Sequence, residues 1–176
     1  IDLCQYLSRM RSEKFLNCAM EVSSHAIHQG RVDGLDFKVA VFTNLTQDHL
    51  DYHKDMETYF LAKARLFAML SKTSTAVLNI DDPFSKRLLS MTPAKVLTYG
   101  IDQKGDIAAD KIQLGIEKTK FILTVQNDQC EIVTHLIGRH NIYNILAATA
   151  ACRALGISLE HIREGVENMT CVPGRL

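Results

Sequence analysis

The chain has 176 residues and a formal net charge of zero, so it lacks the basic character of proteins that bind nucleic acid nonspecifically. At 47% hydrophobic and 23% charged residues it has the composition of one ordinary globular domain with its own core. No apolar stretch approaches the ~20 residues needed to cross a bilayer, and five cysteines without CxxC spacing indicate reduced thiols. We therefore expect a cytoplasmic protein with neither membrane nor nucleic-acid partners.

The first hundred residues alternate between helical and strand patterns. Helical periodicity at residues 2–12 is followed by an apolar run at 14–20 that suits a buried strand. Further strands are predicted at 38–44, 75–80 and 95–100, with helices at about 55–70 and from the Asp81-Asp82-Pro83 cap to about Met91. Short apolar strands separated by helices are typical of parallel β-α-β units covered on both faces.

The pattern changes after about residue 104. Residues 105–137 alternate apolar and polar side chains with short polar breaks, which predicts a small antiparallel meander. A long helix follows at 139–156, ended by Gly156, and Ser158 is the predicted N-cap of a second. We expect an α/β fold in three parts: a mostly parallel sheet flanked by helices (1–104), the meander (105–137) and closing helices (138–176).

Two polar clusters follow predicted strands, where parallel sheets usually place their ligands. Glu21 follows the first apolar run, and Asp48 and His49 follow the second. A carboxylate and an imidazole at neighbouring strand ends could share a divalent cation, with water and phosphate oxygens completing its shell. Helix capping or solvation is the better explanation of each residue taken singly, but the coincidence at two strand ends makes the two interpretations about equal, so both stay open.

His49 and His53 are four residues apart, which on a helix would place both imidazoles on one face, as in zinc sites. The sequence offers no third ligand at a suitable spacing, and the glutamate expected between the two histidines is absent. Zinc-dependent hydrolysis is therefore disfavoured, and we interpret His53 as a structural residue.

Lys63 occupies an unexpected position on the helix predicted at 55–70. The apolar residues of this helix form a stripe about 120° wide, and Lys63 falls near its centre. The stripe consists of Met56, Tyr59, Phe60, Leu66, Phe67 and Leu70. A buried ammonium is costly, so Lys63 should have a lowered pKa and be paired, neutral or chemically modified. A lysine that snorkels to solvent is the competing explanation.

Two segments near the end of the chain carry candidate ligand contacts. In GRHNIYN, Asn141 and Asn144 are three residues apart on one helix face, where their amides can present a donor and an acceptor together. Asn141 could instead be a simple N-cap. Arg175, in the closing PGR, stands at a turn and suits a phosphate, although a solvated arginine would look the same.

Several of these strings together resemble the central, ATP-binding domain of the Mur ligases, which build the peptide stem of peptidoglycan. They are MEVSSHAI with a following GR, VFTNLTQDHLDYH, YFLAKARLF, GRHNIYNILAA and PGRL. The resemblance runs in consistent order from about residue 18 to 176. The strings EVSSHxxxxxR and FTNLxxDHLDYH are most similar to the subfamily that adds the third residue of the stem.

The resemblance implies an ATP-dependent amide ligase that extends UDP-N-acetylmuramoyl-L-alanyl-D-glutamate with a free amino acid. ATP would phosphorylate the terminal carboxylate of this dipeptide, and the incoming amine would displace phosphate from the acyl phosphate. Glu21 and His49 correspond to magnesium-coordinating residues. Lys63 matches a lysine carried as a carbamate (N6-carboxylysine), which binds a second magnesium ion. All three are thus implied to be catalytic.

Six further residues match contacts that the family makes to its substrates. Those to the UDP-linked dipeptide are Ser23, Gln29 and Arg31, and those to ATP are Asn141 and Asn144 at the adenine and Arg175.

One family motif is missing from the chain. The phosphate-cradling loop G-x-x-G-K-[ST] does not occur, nor does any Gly-Lys pair. We expect that loop before residue 1 and two flanking domains outside the chain, so the chain alone should be inactive. Diaminopimelate is favoured over lysine as the added amino acid because it is the commoner bacterial choice, and we expect a monomer. The alternatives are a folylpolyglutamate or cyanophycin synthetase-like ligase, or a non-catalytic nucleotide-binding module.

Overall fold

The computed structural model describes residues 3–46 and 53–171. Within these ranges six strands form one sheet in the order of the chain. The strands are β1 Val39–Phe42, β2 Thr75–Asn79, β3 Lys95–Gly100, β4 Ile107–Leu114, β5 Thr119–Val125 and β6 Asp128–Thr134. The helices are α1 Leu3–Ser12, α2 Ser24–His28, α3 Met56–Ala68, α4 Ser85–Met91, α5 Arg139–Ala154 and α6 Leu159–Glu167.

The sheet confirms the predicted α/β class. Strands β1 to β4 pair in parallel, and β4 to β6 form the predicted antiparallel meander. The meander is not a separate insertion, because Ile107 and Ala108 pair alongside Tyr99 and Gly100 and so continue the parallel sheet. The parallel strands β1, β2 and β3 therefore share one continuous carboxyl edge.

Helices cover both faces of the sheet, as the apolar strands predicted. Ala76 and Leu78 belong to a core formed with α2, α3 and α4, whereas Val77 belongs to a second core formed with α5. Successive side chains of a strand point to opposite faces, so one short strand supplies both cores.

Local capping signals place several helix ends where the sequence indicated, but the cap predicted at residues 81–83 is wrong, since α4 begins at Ser85 with Phe84 in the capping position. The carboxylate of Asp55 accepts a hydrogen bond from the Thr58 N–H at 2.7 Å and starts α3. Ser158 caps α6 as predicted, and Gly156, with φ of +82°, follows the end of α5. None of the helices described is long and apolar enough to cross a membrane.

The strand predicted at residues 14–20 is wrong. Residues 15–23, all of them described, form neither helix nor strand, and the side chains of Phe15 and Leu16 are 60% and 92% exposed. An apolar segment becomes a strand only where a neighbour completes its backbone hydrogen bonds. Among the described residues, β1 pairs with β2 and not with this segment.

Candidate functional site

The carboxyl ends of β1 and β2 are joined by side-chain hydrogen bonds. The Asn79 amide donates to the Thr43 carbonyl at 2.7 Å, and the Asp82 carboxylate accepts from the Leu45 N–H at 2.8 Å. The buried Tyr99 hydroxyl, from the end of β3, donates to the Phe42 carbonyl at 3.1 Å. These bonds hold the backbone that leads from β1 towards the predicted ligand His49.

Asp81 organises the neighbouring loop after β3. Its carboxylate accepts the N–H groups of Ile101, Asp102 and Gln103 at 2.7 to 3.0 Å and the Tyr143 hydroxyl at 2.8 Å. Burial works against the charge of Asp81, but these donors outweigh it, so the pKa of the carboxyl is lowered. Burial and the bond to Asp81 raise the pKa of Tyr143 to about 12. Tyr143 therefore acts as a neutral donor that fastens the start of α5 to the strand ends.

The two asparagines of α5 lie together as predicted. The Asn144 amide nitrogen is 3.3 Å from the Asn141 side-chain oxygen, and the Asn141 amide donates to the Ile137 carbonyl at 2.8 Å. Asn141 is not the N-cap, since the helix begins at Arg139 with Gly138 in the capping position. Asn144 is exposed, so this amide face is open to a ligand that pairs a donor with an acceptor.

Glu21 and Ser23 lie just before α2, and both are exposed. The Ser23 hydroxyl accepts a hydrogen bond from the Ala26 N–H at 3.2 Å and so caps the helix. The capping role does not use the hydroxyl hydrogen of Ser23, which can still be donated to a ligand. The carboxylate of Glu21 is exposed at the same end of α2.

The other end of α2 turns sharply through a Schellman motif. The Gly30 N–H donates to the Ile27 carbonyl and the Arg31 N–H to the Ala26 carbonyl, at 3.1 and 2.9 Å. Gly30 has φ of +69°, which a residue with a Cβ rarely adopts. This geometry presents the side chains of Gln29 and Arg31, both exposed, on one short turn.

Lys63 lies on α3, which packs directly on α2. The stripe around it is confirmed, because Tyr59, Phe60, Leu66 and Phe67 are all buried. Lys63 itself is half-buried, and its Nζ lies 5.3 Å from the centre of the Tyr59 ring. The ammonium is therefore not sealed in the core, and an aromatic face is one of its contacts.

His53 is buried, which confirms its interpretation as a structural residue. Its side chain is 2% exposed, its Nε2 is 2.8 Å from the Ser24 hydroxyl, and its ring stacks on Tyr59. The ring of His25 lies 5.4 Å away. Sequence reasoning did not foresee this cluster, because it joins α2 to residues almost thirty positions further along the chain.

Two predicted site residues, His49 and Arg175, lie outside the described residues, as do Asp48 and Asp51. Within residues 3–46 and 53–171, no three His, Cys, Asp or Glu side chains are arranged to hold a metal ion. The magnesium set implied by the resemblance combines Glu21, His49 and a carbamate on Lys63, so it remains a prediction.

Comparison with known proteins defines the class of this chain. The family model described as "Mur ligase middle domain" matches residues 1–152, and the chain belongs to this family. The fold agrees, since a solved UDP-N-acetylmuramoyl-L-alanyl-D-glutamate–2,6-diaminopimelate ligase is 33% identical with a TM-score of 0.79, covering 88% of this chain and 33% of its own. A MurF structure from Acinetobacter baumannii is 26% identical with a TM-score of 0.74, covering 79% of this chain and 30% of its own.

Curated relatives carry the name of the same ligase as the first of these structures. The one from Geobacillus thermodenitrificans is 52% identical, over 89% of this chain and 33% of its own length. The one from Geobacter metallireducens is 48% identical, over 100% of this chain and 36% of its own length. The chain thus spans about a third of the length of the curated relatives it matches.

Proposed function

We propose that this chain is the middle part of an ATP-dependent ligase that adds meso-diaminopimelate to UDP-N-acetylmuramoyl-L-alanyl-D-glutamate. The observation that carries the proposal is the identity of 48% over the whole chain with a relative bearing that ligase's name. The packing of α2 on α3 and the bond that fastens the start of α5 to the strand ends support it. The whole protein would act in the cytoplasm as a monomer.

In the proposed reaction the γ-phosphoryl group of ATP passes to the terminal carboxylate of the UDP-linked dipeptide, and ADP leaves. The amine of diaminopimelate then attacks the acyl carbon, and inorganic phosphate leaves as the amide forms. Phosphoryl transfer depends on positioning and on stabilising charge. The chain's task would thus be to hold the two substrates in line.

The nucleotide would lie against α5. Asn141 and Asn144 present the donor and acceptor pattern that the edge of an adenine requires, and the bond from Tyr143 to Asp81 holds that face beside the strand ends. Arg175 would contact ATP with its guanidinium. The nucleobase is thus assigned to a rigid helix rather than to a loop.

The UDP-linked dipeptide would lie against α2. Ser23 can donate its hydroxyl, and Gln29 and Arg31 extend from the Schellman turn at the opposite end of the same helix. Arg31 suits an anionic group of this substrate because a guanidinium binds phosphate or carboxylate with two hydrogen bonds. The substrate's long axis would thus follow α2.

The residues also fit two magnesium ions. A carboxylate (Glu21), an imidazole (His49) and a carbamate on Lys63 would together supply the oxygen-rich donor set that suits this ion. Magnesium bound there would neutralise charge on phosphate oxygens. A half-buried lysine on the helix packed against α2 is suitably placed to become such an anionic ligand.

The test is substrate dependence in the whole ligase that contains this chain. Release of phosphate from ATP should require both the UDP-linked dipeptide and diaminopimelate, and lysine should be a much poorer amino acid. Turnover that needs glutamate and a folate, or aspartate or arginine and a polypeptide, would assign the protein to another ligase of this kind. Nucleotide binding without any turnover would indicate a binding module.

A further inference from the structure

The turn that carries Gln29 and Arg31 is held from outside by an arginine on α3. Arg65 donates two hydrogen bonds from one nitrogen to the Asp33 carboxylate, at 2.9 and 2.7 Å. Its other terminal nitrogen donates to the Ile27 carbonyl at 3.4 Å. One guanidinium therefore contacts both the last turn of α2 and the far side of the loop.

The ion pair also lies over the most constrained point of the loop. A Cβ added to Gly30 would be 3.0 Å from the Asp33 carboxylate oxygen, and the Asp33 N–H donates to the Gly30 carbonyl at 3.1 Å. Val32, 1% exposed, anchors the loop from below. The backbone conformation of the loop is thus set locally, while Arg65 links the far side of the loop to α3.

Arg65 is two residues from Lys63 on the same helix, so α3 carries both the proposed magnesium ligand and the residue that fixes the loop. We propose that Arg65, acting through Asp33, is a positioning residue. It holds Gln29 and Arg31 at the position relative to Lys63 that binding of the UDP-linked dipeptide requires. This inference rests on the proposed function. It assigns a role to a residue pair that the proposed substrate, nucleotide and metal contacts do not include.

Because an exposed ion pair contributes little to folding, we expect this pair to orient the loop rather than to stabilise the fold. Both side chains are about half exposed, at 46% and 47%, and exposed ion pairs contribute at most about 1 kcal/mol to folding. The two terminal nitrogens of Arg65 nevertheless bond different groups, the Asp33 carboxylate and the Ile27 carbonyl, so the planar guanidinium restricts how these two groups are placed. Arg65→Met should therefore fold normally and still misplace the loop.

A matched control exists on the same helix. Glu57, on α3, accepts two hydrogen bonds from Arg87 on α4 at 2.6 and 2.7 Å, with similar exposure. This pair joins α3 to α4 rather than to the loop. Arg87→Met removes an ion pair of similar exposure, together with the contact of its guanidinium on the Phe60 ring, and should leave substrate kinetics unchanged.

The experiment compares steady-state kinetics of the whole ligase and its Arg65→Met, Arg65→Lys and Arg87→Met variants. Arg65→Met should raise KM for the UDP-linked dipeptide about three- to fivefold, as the weak energy of an exposed ion pair allows, with kcat and KM for ATP within about twofold. The KM of Arg65→Lys should lie between those of the wild type and Arg65→Met, because lysine keeps the positive charge but lacks the planar guanidinium. Trypsin should also cleave after Arg31 faster in Arg65→Met than in Arg87→Met.

The outcomes separate this inference from the proposed function. If the wild-type ligase uses the UDP-linked dipeptide and Arg65→Met matches Arg87→Met in KM and in cleavage, the inference is overturned and the function stands. Equal losses in all kinetic constants would also overturn it, since they would report general damage. A wild-type ligase that ignores the UDP-linked dipeptide overturns the proposed function and this inference together.

Discussion

The imidazole of His53 stacks on the phenol ring of Tyr59, with the ring centres 5.0 Å apart and the planes inclined by 21°. The same imidazole contacts the Ser24 hydroxyl at 2.8 Å. Through these two contacts the start of α2 is tied to α3, the helix that carries Lys63. The distance between the proposed substrate loop and the proposed metal ligand thus depends on a residue that is itself buried and structural.

Replacing His53 should destabilise the protein. His53→Ala leaves the buried Ser24 hydroxyl without this partner and exposes one face of Tyr59, at a cost of about 1–3 kcal/mol for the hydroxyl alone. Thermal unfolding of the whole protein measures the effect, and His135→Ala, at an exposed histidine, is the control. Equal unfolding temperatures for the two variants would show that the cluster contributes nothing to stability.

The carboxylate of Asp81 should make stability depend on pH in the acid range. Its pKa is lowered from 3.8 in the folded protein, so its stabilisation is fully present above the unfolded pKa and is lost as the pH falls through the lower folded pKa. Asp81→Asn should lower the unfolding temperature at neutral pH, and the difference from wild type should shrink below about pH 4.

Unfolding temperatures measured from neutral pH down to about pH 3 test this linkage. Asp128→Asn, which changes an exposed carboxylate, serves as the control. A difference between wild type and Asp81→Asn that stays constant with pH would contradict the proposed role of the charge.

Two glycine substitutions should change the stability of the protein in opposite directions. A Cβ at Gly100 would lie 2.7 Å from the Gln103 carbonyl oxygen and 3.0 Å from Ile80, so Gly100→Ala must displace the loop held by Asp81 and should destabilise the protein. Gly165, inside α6, has nothing within 4 Å of an added Cβ, so Gly165→Ala should stabilise by about 0.5–1 kcal/mol. Unfolding curves for both variants provide the measurement, and shifts of the same sign would refute the packing argument.

Lys63→Ala should abolish ligation in the whole enzyme while leaving the fold intact. We expect activity to fall by more than about 100-fold, because mutating even the residues that support metal ligands typically lowers metal affinity or activity about 10- to 100-fold. Bicarbonate should not restore the variant, whereas a small added carboxylate should restore part of its activity. Lys86→Ala, at an exposed lysine of α4, is the control.

The carbamate itself can be observed by carbon-13 NMR after incubation of the whole enzyme with labelled bicarbonate. Wild type should show a carbamate signal that Lys63→Ala lacks and Lys86→Ala keeps. Near-full activity of Lys63→Ala without bicarbonate would mean that Lys63 is only a snorkelling lysine.

The 176-residue chain expressed by itself should neither hydrolyse ATP nor form amide bonds. It contains no G-x-x-G-K-[ST] loop, and phosphoryl transfer depends almost entirely on positioned phosphate contacts. A phosphate-release assay with magnesium and both substrates provides the test. Turnover above that of a Glu21→Ala control would refute the expectation.

Much of the fold could be predicted because it depends on local sequence patterns. The apolar strands β1 to β3, the stripe on α3 and the cap at Ser158 depend on neighbours within a few residues. The strand predicted at 14–20 failed for the opposite reason. Apolar composition is local, but a strand exists only when a distant segment completes its hydrogen bonds.

The sequence by itself determined the α/β alternation, the family and the chemical types of the candidate site residues, since motif strings and periodicity are local properties. Only the tertiary structure decided which polar groups meet. Asp81 and Tyr143 are 62 positions apart, Arg65 and Asp33 are 32, and His53 and Ser24 are 29. No periodicity encodes such pairs, because each depends on where the sheet and its covering helices bring separate segments together.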